Sequence, residues 1–577
     1  MGQRAINLTF MKCNTIFFCF LVLIAFVVDA QKVIPKNLSE KQYFYYDFNK
    51  TKIESEGYYY VDDLGATSLR HGRWKFYNRQ GDVQEVRNYF KNELHGETQV
   101  YFSNGRKKSV GYFKNNLQDS VYMEWDERGT LRQKGVFIAG APCDKWEYYY
   151  MDGSPQLFEE IIYGVSNVTS FWLPDSLHTQ TVINGTGEVV VYHPNGALKE
   201  WYSYQNGLKN GPFEEGSING YFLLKGSFVN NKPHGQWNYY YYTGDIEKIS
   251  NYENGLLNGP YSYYYDNGQI NVTGSYLNNL KTGEWIWYTN KGIIDMMGSF
   301  ENGKQHGQWI YNFPDGQLSY CASYQNDLKH GFWEYYYTNG AKFKQGSFEN
   351  DKKNGEWKTW YENGLLLMQG DYKNDLEEGV WENYWDNGQL KNKTTFSLGK
   401  RNGDWESYYK NGIVKTTGQY QTELKTGKWM EYFDNGQLKD VEQYKVINIK
   451  SKIKYGPMQN RTNSESVQHG KFISYSQKDF QKTLEGVYKK GKKQGEWIAY
   501  HPGGVNPAVI SNYKDGKLHG PMIAYSFREN RKTSEVNYKN GLQHGKVKIY
   551  NERGELIKEE EYNNGVKVIN GAGFAPK

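Results

Sequence analysis

The sequence has little excess charge of either sign and few aliphatic residues. It carries 69 Lys and Arg against 64 Asp and Glu, so the net charge is only +5 over 577 residues. This balance gives no reason to expect nucleic acid as a partner, because nucleic-acid-binding domains concentrate positive charge. Hydrophobic residues make up 38%, whereas aromatic residues reach 17% and include 53 tyrosines. Aromatic rings are therefore expected to form most of the core.

The motifs of common catalytic and metal sites are also missing. The sequence has no metal-ligand spacing of His or Cys, no Gly-x-Ser-x-Gly elbow and no phosphate-binding Gly-x-x-x-x-Gly-Lys. Most histidines directly precede a glycine that follows Asn or Thr in sister repeats, which favours a local role in a turn. These histidines are His71, His95, His234, His306, His330, His469, His519 and His544. The sequence therefore predicts a non-enzymatic protein with no cofactor and no metal.

Only one long apolar segment is present, at residues 16–28 near the N-terminus. It follows Lys12 and precedes Val28-Asp29-Ala30, a pattern typical of a signal peptide cleaved after Ala30. About 13 apolar residues are too few to favour a spanning helix, which needs ~20. The sequence therefore predicts export to the periplasm, the outer surface or the medium, and an uncleaved anchor is the alternative.

Glycine recurs at a strict interval of 24 residues through the centre of the chain. A fixed period of this size indicates one supersecondary unit that is copied and stacked. Asn or Asp precedes the glycine in most copies, and these dipeptides are typical of positive φ in two-residue hairpin turns. The predicted turn residues of this series are Gly268, Gly316, Gly340, Gly364, Gly388 and Gly412.

A second glycine series has the same period and usually follows His, Asn or Thr, as in His234-Gly235 and Asn258-Gly259. Each repeat is therefore predicted to contain two turns and two short strands. The members of this series are Gly211, Gly235, Gly259, Gly283, Gly307, Gly331, Gly355, Gly379, Gly403 and Gly427.

Aromatic residues form two columns that are locked to the same period. Stacked rings are expected on one face, and a small residue two positions before the second column, such as Gly346 before Phe348, leaves room for a neighbouring ring across the backbone. The predicted core residues are Trp237, Trp285, Trp309, Trp333, Trp357, Trp381, Trp405, Trp429, Tyr252, Tyr276, Phe300, Tyr324, Phe348 and Tyr372. Exposed rings that bind a sugar or an extended peptide are the alternative interpretation.

Adjacent aromatic residues, as in Tyr336-Tyr337 and Trp360-Tyr361, do not fit a flat strand. Neighbouring side chains on a strand point to opposite faces. Either a bulge re-aims one ring, or both faces carry aromatic residues.

The repeats fall into three blocks that differ in phase and length. The first block keeps 24 residues, whereas the last has 25, and we expect the added residue in a turn because in a strand it would reverse the faces. The predicted division is a signal peptide at 1–30, a cap at 31–60, repeats at 61–156, an insert at 157–190, a central array at 191–445, an insert or linker at 446–469, repeats at 470–565 and a tail at 566–577.

Cysteine is scarce outside the apolar segment, where only Cys143 and Cys321 remain. They lie roughly seven repeats apart. At two strands of ~4.8 Å per repeat, the gap is on the order of 70 Å, against the ~6 Å that a disulfide needs. We therefore expect no disulfide between them.

The unit Gly355-x-Trp357-x-x-Trp360-Tyr361-x-Asn363-Gly364, followed by Gly370-x-Tyr372, resembles the MORN repeat. It is most similar to the variant found in bacterial proteins described as antitoxin-like. The resemblance covers residues from about 60 to 565 apart from the two predicted inserts. It implies an elongated, single-layer antiparallel β-meander of tandem hairpins that forms a twisted ribbon. It also implies a scaffold without catalytic activity.

The predicted function is an exported scaffold that binds another macromolecule, most favourably a protein, through its long β-face. Binding of a cell-surface glycan or a lipid headgroup is one alternative, and neutralisation of a partner in the manner of an antitoxin is another. An enzyme that uses one of the inserts is a further alternative. Edge-to-edge association of copies is also compatible with the repeats.

Overall fold

The structure of the chain is a computed structural model that describes residues 37–451 and 461–569. The predicted signal peptide with its cleavage site at Ala30 lies outside the described residues. Residues 31–36 of the predicted cap, 452–460 of the second predicted insert and 570–577 of the predicted tail also lie outside them. The chain divides into two units, Met1–Gly259 and Pro260–Lys577.

The first unit is built entirely from short strands. They are β1 (Gln42–Tyr45), β2 (Ile53–Asp62), β3 (Gly65–Tyr77), β4 (Val83–Phe90), β5 (Glu93–Leu94), β6 (Gly96–Tyr101), β7 (Lys107–Lys114), β8 (Leu117–Trp125), β9 (Leu131–Ile138), β10 (Ala141–Tyr149), β11 (Pro155–Ile162), β12 (Val165–Trp172), β13 (Gln180–Ile183), β14 (Thr186–Tyr192), β15 (Leu198–Gln205), β16 (Leu208–Gly216), β17 (Phe222–Val229), β18 (Lys232–Tyr240) and β19 (Ile246–Glu253). The next strand, β20 (Leu256–Tyr264), runs across the boundary at Gly259.

The second unit continues in the same style. Its strands are β21 (Ile270–Leu277), β22 (Leu280–Tyr288), β23 (Ile294–Glu301), β24 (Lys304–Asn312), β25 (Leu318–Gln325), β26 (Leu328–Lys329), β27 (Gly331–Tyr336), β28 (Lys342–Glu349), β29 (Lys352–Trp360), β30 (Leu366–Lys373), β31 (Leu376–Tyr384), β32 (Leu390–Ser397), β33 (Lys400–Tyr408), β34 (Val414–Gln421), β35 (Leu424–Tyr432), β36 (Leu438–Ser451), β37 (Arg461–Gln468), β38 (Gly470–Tyr475), β39 (Lys482–Lys489), β40 (Lys492–Tyr500), β41 (Pro507–Lys514), β42 (Lys517–Tyr525), β43 (Lys532–Lys539), β44 (Leu542–Tyr550), β45 (Leu556–Asn563) and β46 (Val566–Lys567).

Within each unit, strands pair antiparallel with their neighbours along the chain. Examples are β10 with β11 in the first unit and β29 with β30 in the second. Three strands, β4, β25 and β36, each pair with two consecutive short strands, which together act as one interrupted strand. The described residues contain no helix. The predicted all-β meander of hairpin repeats is therefore confirmed.

The Asn-Gly turns differ in type from the sequence prediction. The N–H of Gly268 donates to the carbonyl of Tyr265 (3.0 Å), and the N–H of Tyr265 donates to Gln269 (2.8 Å). Gly268 adopts the positive φ of +80°. This geometry is a four-residue turn with a glycine bulge, which an Asn-Gly dipeptide supports as well as it supports a two-residue turn. The prediction of two-residue hairpins at this series is therefore wrong.

The second turn of each repeat lies upstream of the second glycine series. Between β23 and β24 only Asn302 and Gly303 intervene, with φ of 51° and 78°, as a two-residue hairpin turn requires. Gly307 lies inside β24 with φ of 74°, opposite a register shift at Gly298. The second glycine series therefore marks β-bulges, and its assignment to turns is wrong.

The turn geometry explains the adjacent aromatic residues. Tyr336 ends β27, and the register shifts between Tyr335 and Tyr336. Tyr337 begins the Asn-Gly turn, where its hydroxyl donates to the carbonyl of Trp360 in the next repeat (2.9 Å). The second ring of the pair therefore lies along the edge of the sheet.

Successive two-residue turns are joined along their edge by hydrogen bonds. The N–H of Asp351 donates to the carbonyl of Lys329 (2.9 Å), and Asp351 Oδ1 accepts the N–H of Lys329 (2.8 Å). The same pair of bonds links Asp375 to Lys353. These bonds fix the spacing between repeats, since each turn rests on the backbone of the repeat before it.

Residues 157–190 are not an insert. Strands β11 to β14 fill this region, and two-residue turns at Tyr163-Gly164, Asn184-Gly185 and Asn206-Gly207 follow one another at 21 and 22 residues. The region thus consists of two shortened repeats within the meander. Shortened repeats change the phase of the glycine series as an insertion would, which is why the sequence alone gave the wrong interpretation.

Residues 446–469 lengthen one hairpin. Strand β36 runs past the position where a 24-residue period would place the next two-residue turn, and it pairs with β37 from Tyr444↔Gln468 to Ser451↔Arg461. The hydroxyl of Ser466 donates to the carbonyl of Lys425 (2.7 Å). In other repeats the carbonyl at the equivalent position accepts an N–H of the next two-residue turn. The described part of this predicted insert is therefore an extension of the strands.

The C-terminal block lengthens one kind of turn. The N–H of His501 donates to Asn506 and that of Ser526 to Arg531, five residues ahead, whereas the N–H of Tyr409 donates to Ile413, four residues ahead. The added residue lies in this turn and not in a strand, so the faces of the strands are preserved.

Candidate functional site

One face of the sheet, which we call the ring face, carries the tryptophan column and the predicted Tyr and Phe column. On this face Trp357 lies across Gly346 of the preceding strand, and a Cβ at Gly346 would stand 2.1 Å from Cδ2 of Trp357. The missing side chain of Gly346 therefore permits the close approach of this indole to the backbone. The same arrangement joins Gly298 to Trp309 and Gly370 to Trp381.

The bulge also gives the tryptophan a hydrogen-bond acceptor. Nε1 of Trp357 donates to the carbonyl of Ser347 (3.2 Å), and Nε1 of Trp309 donates to that of Ser299 (3.2 Å). Both carbonyls lie beside the register shift that the bulge glycine creates. A buried indole N–H needs such a partner, so the bulge and the tryptophan form one structural unit.

Rings from the two columns alternate in edge-to-face contact. Phe348 lies 5.1 Å from Trp357 at 88°, and Trp357 lies 6.0 Å from Tyr372 at 88°. Lysines cover this ladder, as Lys353 does at 5.0 Å from the Trp357 ring. Such cation–π contacts let the lysine stem shield the rings of a thin sheet.

The structure places most of the predicted core tryptophans in this ladder with little exposure. Buried members are Trp237, Trp285, Trp309, Trp333, Trp357, Trp381 and Trp429. The second column is half-buried and comprises Tyr252, Tyr276, Phe300, Tyr324, Phe348 and Tyr372. The six predicted turn glycines lie in turns, five after Asn and Gly316 after Asp, with φ between 80° and 90°.

Trp405 departs from this pattern. Its neighbour across the strands is Thr394 where other repeats have glycine, so the indole cannot lie on the backbone in the same way. Trp405 is half-buried, and its Nε1 donates to Thr416 Oγ1 (3.0 Å) instead of to a carbonyl. Thr394 itself is 3% exposed, and its hydroxyl has no hydrogen-bond partner among the described residues.

A cavity of about 260 Å³ opens beside Trp405. Its walls are formed by Trp405, Thr416, Tyr420, Lys425, Trp429, Met430, Glu431, Asp440 and Glu442. The repeat that lines it replaces ring-face residues with charged ones. Glu442, for example, stands directly opposite Trp429, where other repeats have glycine.

The carboxylates of this repeat are held by neighbouring groups. Lys439 Nζ lies 2.8 Å from Glu431 and 4.0 Å from Asp440, and Gln468 Nε2 donates to Glu442 (2.8 Å). Their charge is therefore largely satisfied within the protein. The column of small residues was visible in the sequence, so the change to Glu442 was the signal that could have identified this irregular repeat.

The opposite face, which we call the tyrosine face, carries a row of tyrosines at the ends of strands. Tyr336 donates to Glu334 (2.6 Å), and Lys342 lies 2.6 Å from the other oxygen of that carboxylate. The same group of three recurs as Tyr384, Glu382 and Lys393. Sequence reasoning missed this row, since a contact between residues two positions apart depends on both lying on one face.

These contacts shift the pKa of both partners. Burial, followed by the hydrogen bond to Glu382, raises the pKa of Tyr384 to about 12. The hydrogen bond from Gln369 lowers the pKa of Glu382, and those from Tyr384 and Lys393 act in the same direction against burial. The tyrosine is thereby kept neutral and the carboxylate ionised near neutral pH, which fixes the orientation of the phenol ring.

Several histidines bind the backbone of the next two-residue turn. His469 Nδ1 accepts the N–H of Lys490 (3.3 Å), and His519 Nδ1 accepts that of Asn540 (3.4 Å). These side chains lie at the bulge of one hairpin and contact the turn of the following one. Their role is structural, although the contact is between hairpins and not within the predicted turn.

The first unit has an aliphatic cluster where its repeats are shortened. Val168, Phe171, Val182 and Val189 are buried together, and the N–H of Val168 donates to the carbonyl of Gly207 (2.8 Å). A cavity of about 330 Å³ adjoins β12, and it is lined by Ser166, Val168, Tyr204, Lys209, Phe228 and Asn231. In this region three valines and a phenylalanine thus replace the buried tryptophans of the ring ladder.

The described residues show neither a metal-binding cluster nor a helix suited to crossing a membrane. Residues 37–451 and 461–569 contain no cluster of three or more His, Cys, Asp or Glu that could hold a metal ion. Among those residues, none belongs to a helix with the length and hydropathy that crossing a membrane requires. Cys321 on β25 has a free thiol, and burial raises its pKa.

Comparison with known families identifies the repeat. Eight segments match the model of the MORN repeat variant, at residues 94–115, 257–278, 305–326, 353–374, 377–397, 401–422, 425–445 and 543–564. The resemblance predicted from the sequence is therefore confirmed, and these eight segments are repeats of the MORN variant type.

Solved structures of toxin complexes show a distant similarity. The crystal structure of TcdB2-TccC3-Cdc42 has 10% identity and a TM-score of 0.12, covering 90% of this chain and 34% of that chain. A Photorhabdus luminescens Tc holotoxin pore with a mutated TccC3 gives 10% identity and a TM-score of 0.12, covering 92% and 35%. The present chain thus spans about a third of their length. No curated protein matches the sequence.

Proposed function

We propose that the protein is an exported, non-enzymatic scaffold that binds another protein across its tyrosine face. The row of hydrogen-bonded tyrosines carries this proposal. A tyrosine that is already held in one rotamer presents a large amphipathic surface at low entropic cost, and tyrosine is enriched at the centres of protein interfaces.

The ring face is less suited to the same task. Its tryptophans are not accessible to a partner, since Trp309 and Trp357 are buried against their neighbours. The tyrosine face also has exposed apolar side chains one position before the tryptophans, namely Phe332 at 49% and Val380 at 47% exposure. Exposed apolar residues beside ordered tyrosines are typical of the anchor positions of an interface.

Affinity capture from the envelope fraction, followed by mass spectrometry, tests the proposal. The wild-type protein is compared with a Phe332→Ser, Val380→Ser double variant. A matched control replaces Leu365, which is 40% exposed beside an Asn-Gly turn, by Ser. Because these side chains are exposed, the variants should retain the fold, as measured by circular dichroism.

A protein that is captured by the wild type and the control but lost from the double variant supports the proposal. Equal capture by all three proteins would place the interface elsewhere. An enzymatic activity that remains after the protein is purified to homogeneity would contradict the non-enzymatic assignment.

A further inference from the structure

The edge of the C-terminal block that contains the two-residue turns is rich in lysine. Three successive turns, at residues 489–492, 514–517 and 539–542, carry six lysines and one acidic residue, Asp515. The lysines are Lys489, Lys490, Lys492, Lys514, Lys517 and Lys539, and all are exposed. We call this set the lysine edge.

The same turn positions of the central array are not basic. Between residues 301 and 424 they carry four lysines and six acidic residues. The lysines are Lys304, Lys352, Lys373 and Lys400, and the acidic residues are Glu301, Asp327, Glu349, Asp351, Asp375 and Glu423. The repeat fold itself therefore does not demand lysine at these positions.

Hydrogen bonds hold the turns of the lysine edge in register. The N–H of Gly516 donates to the carbonyl of Lys493 (2.9 Å), and that of Gly541 donates to Leu518 (2.8 Å). The stem of Lys492 passes over Gly516, where an added Cβ would be 3.5 Å from its Cβ. Successive turns are two strands apart, so the ammonium groups repeat at about 10 Å.

The charge of this edge is not neutralised by neighbouring carboxylates. The basic residues of the block that form ion pairs are Lys482, Arg531, Lys532, Lys546 and Lys558. The lysines of the edge take part in none of the ion pairs of the described residues. A row of unpaired ammonium groups gains most from a partner that carries many anionic groups, because binding releases the counterions condensed on that polyanion.

The chemistry of the edge favours a polysaccharide over other polyanions. It has no arginine for bidentate recognition of a particular carboxylate or phosphate. Exposed rings that could stack on nucleic-acid bases, Phe480 and Phe527, lie in the opposite turns of the block. Leu542 is the only exposed aliphatic side chain in these three turns, so an acidic peptide would find few anchors.

We propose that the lysine edge binds a linear acidic polysaccharide that runs across successive turns. This site is separate from the protein-binding surface proposed on the tyrosine face. Binding should depend strongly on salt, since it is carried by solvated point charges.

Titration of the full chain with heparin at several salt concentrations tests this site. The variant K489Q/K492Q/K514Q/K517Q is compared with K304Q/K352Q/K373Q/K400Q, which removes the same number of lysines from equivalent turn positions. We expect at least ~10-fold weaker binding at low salt and a shallower dependence on salt for the first variant. The second variant should stay within about 2-fold of the wild type.

Polyglutamate and a single-stranded oligonucleotide serve as competing polyanions in the same assay. Tighter binding of either one than of heparin would assign the edge to an acidic peptide or a nucleic acid and overturn the proposal. Equal weakening in the two lysine variants, or no binding of heparin to the wild type, would also overturn it. Unchanged melting temperatures of both variants establish that the comparison concerns binding and not folding.

Discussion

Two neighbouring regions of the second unit differ in the packing of a single tryptophan. Around Gly346, Trp357 is 3% exposed and lies on the backbone of the preceding strand. Around Thr394, Trp405 is half-buried and stands beside a cavity of about 260 Å³. The strands and turns are alike in both regions, so the residue opposite the ring decides the packing.

This difference shows how a repeat protein varies its surface without changing its backbone. The branched side chain of Thr394 at the glycine position blocks the approach of the indole, and the hydrogen bond of Trp405 moves from a carbonyl to Thr416. Because each repeat contacts mainly its neighbours, the disturbance stays local. Irregular repeats can therefore carry specific surfaces within a regular array.

Replacing each tryptophan by alanine should give the largest difference in stability between the two regions. We expect Trp357→Ala to cost about 3–5 kcal/mol of local stability, because a fully buried ring is lost. Trp405→Ala should cost ~1–2 kcal/mol, since this ring is only half-buried. Hydrogen exchange of β28–β30 and β32–β34 measures both losses. Equal losses would mean that the exposure of Trp405 does not weaken its contribution.

Placing a branched residue at the glycine position should convert a regular repeat into an irregular one. Gly346→Thr should displace Trp357 and cost ~1–3 kcal/mol by overpacking. Gly346→Ala should be milder, because Ala322 occupies the same position beside Trp333, which is 3% exposed. Urea unfolding followed by tryptophan fluorescence measures the loss of stability in each of the two variants. A larger loss of stability for Gly346→Ala than for Gly346→Thr would contradict this explanation of the packing.

Much of this packing and one series of turns could be predicted from the sequence, but the two-residue turns could not. The ring column and the small residue before Phe348 were sufficient to predict a ring lying on the backbone. The two-residue turns escaped prediction because Asn230-Asn231 and Asn326-Asp327 contain no glycine, although both residues of each pair have positive φ. Asn and Asp tolerate this conformation, so glycine alone is an incomplete marker of turns.

The reverse substitution should restore the regular packing. Thr394→Gly removes a buried hydroxyl without a partner, which costs ~1–3 kcal/mol when left unsatisfied. It also opens the backbone to Trp405, against an entropic cost of about 0.5–1 kcal/mol for glycine. We expect a net gain of about 1 kcal/mol. A crystal structure should show Trp405 lying on β32, and an unchanged ring position would disprove this explanation.

The smallest effect concerns the tyrosine face, where Tyr384 at the end of β31 and Tyr432 at the end of β35 differ in their partners. The hydroxyl of Tyr384 donates to Glu382, whereas the hydroxyl of Tyr432 donates to the sulfur of Met430 at 3.6 Å. The pKa of Glu382 lies below its usual 4.5, so its contribution to stability is present above pH 4.5 and lost as the pH falls through the folded-state value. The pKa of Tyr384 is raised from 10.0 to about 12, so its contribution is complete below pH 10 and lost between pH 10 and 12.

Glu382→Met, which copies the irregular repeat, should cost about 0.5 kcal/mol at pH 7. The difference from wild type should shrink on acidification, as measured by urea unfolding between pH 3 and 7. A difference that is constant over this range would show that the carboxylate does not stabilise the tyrosine row.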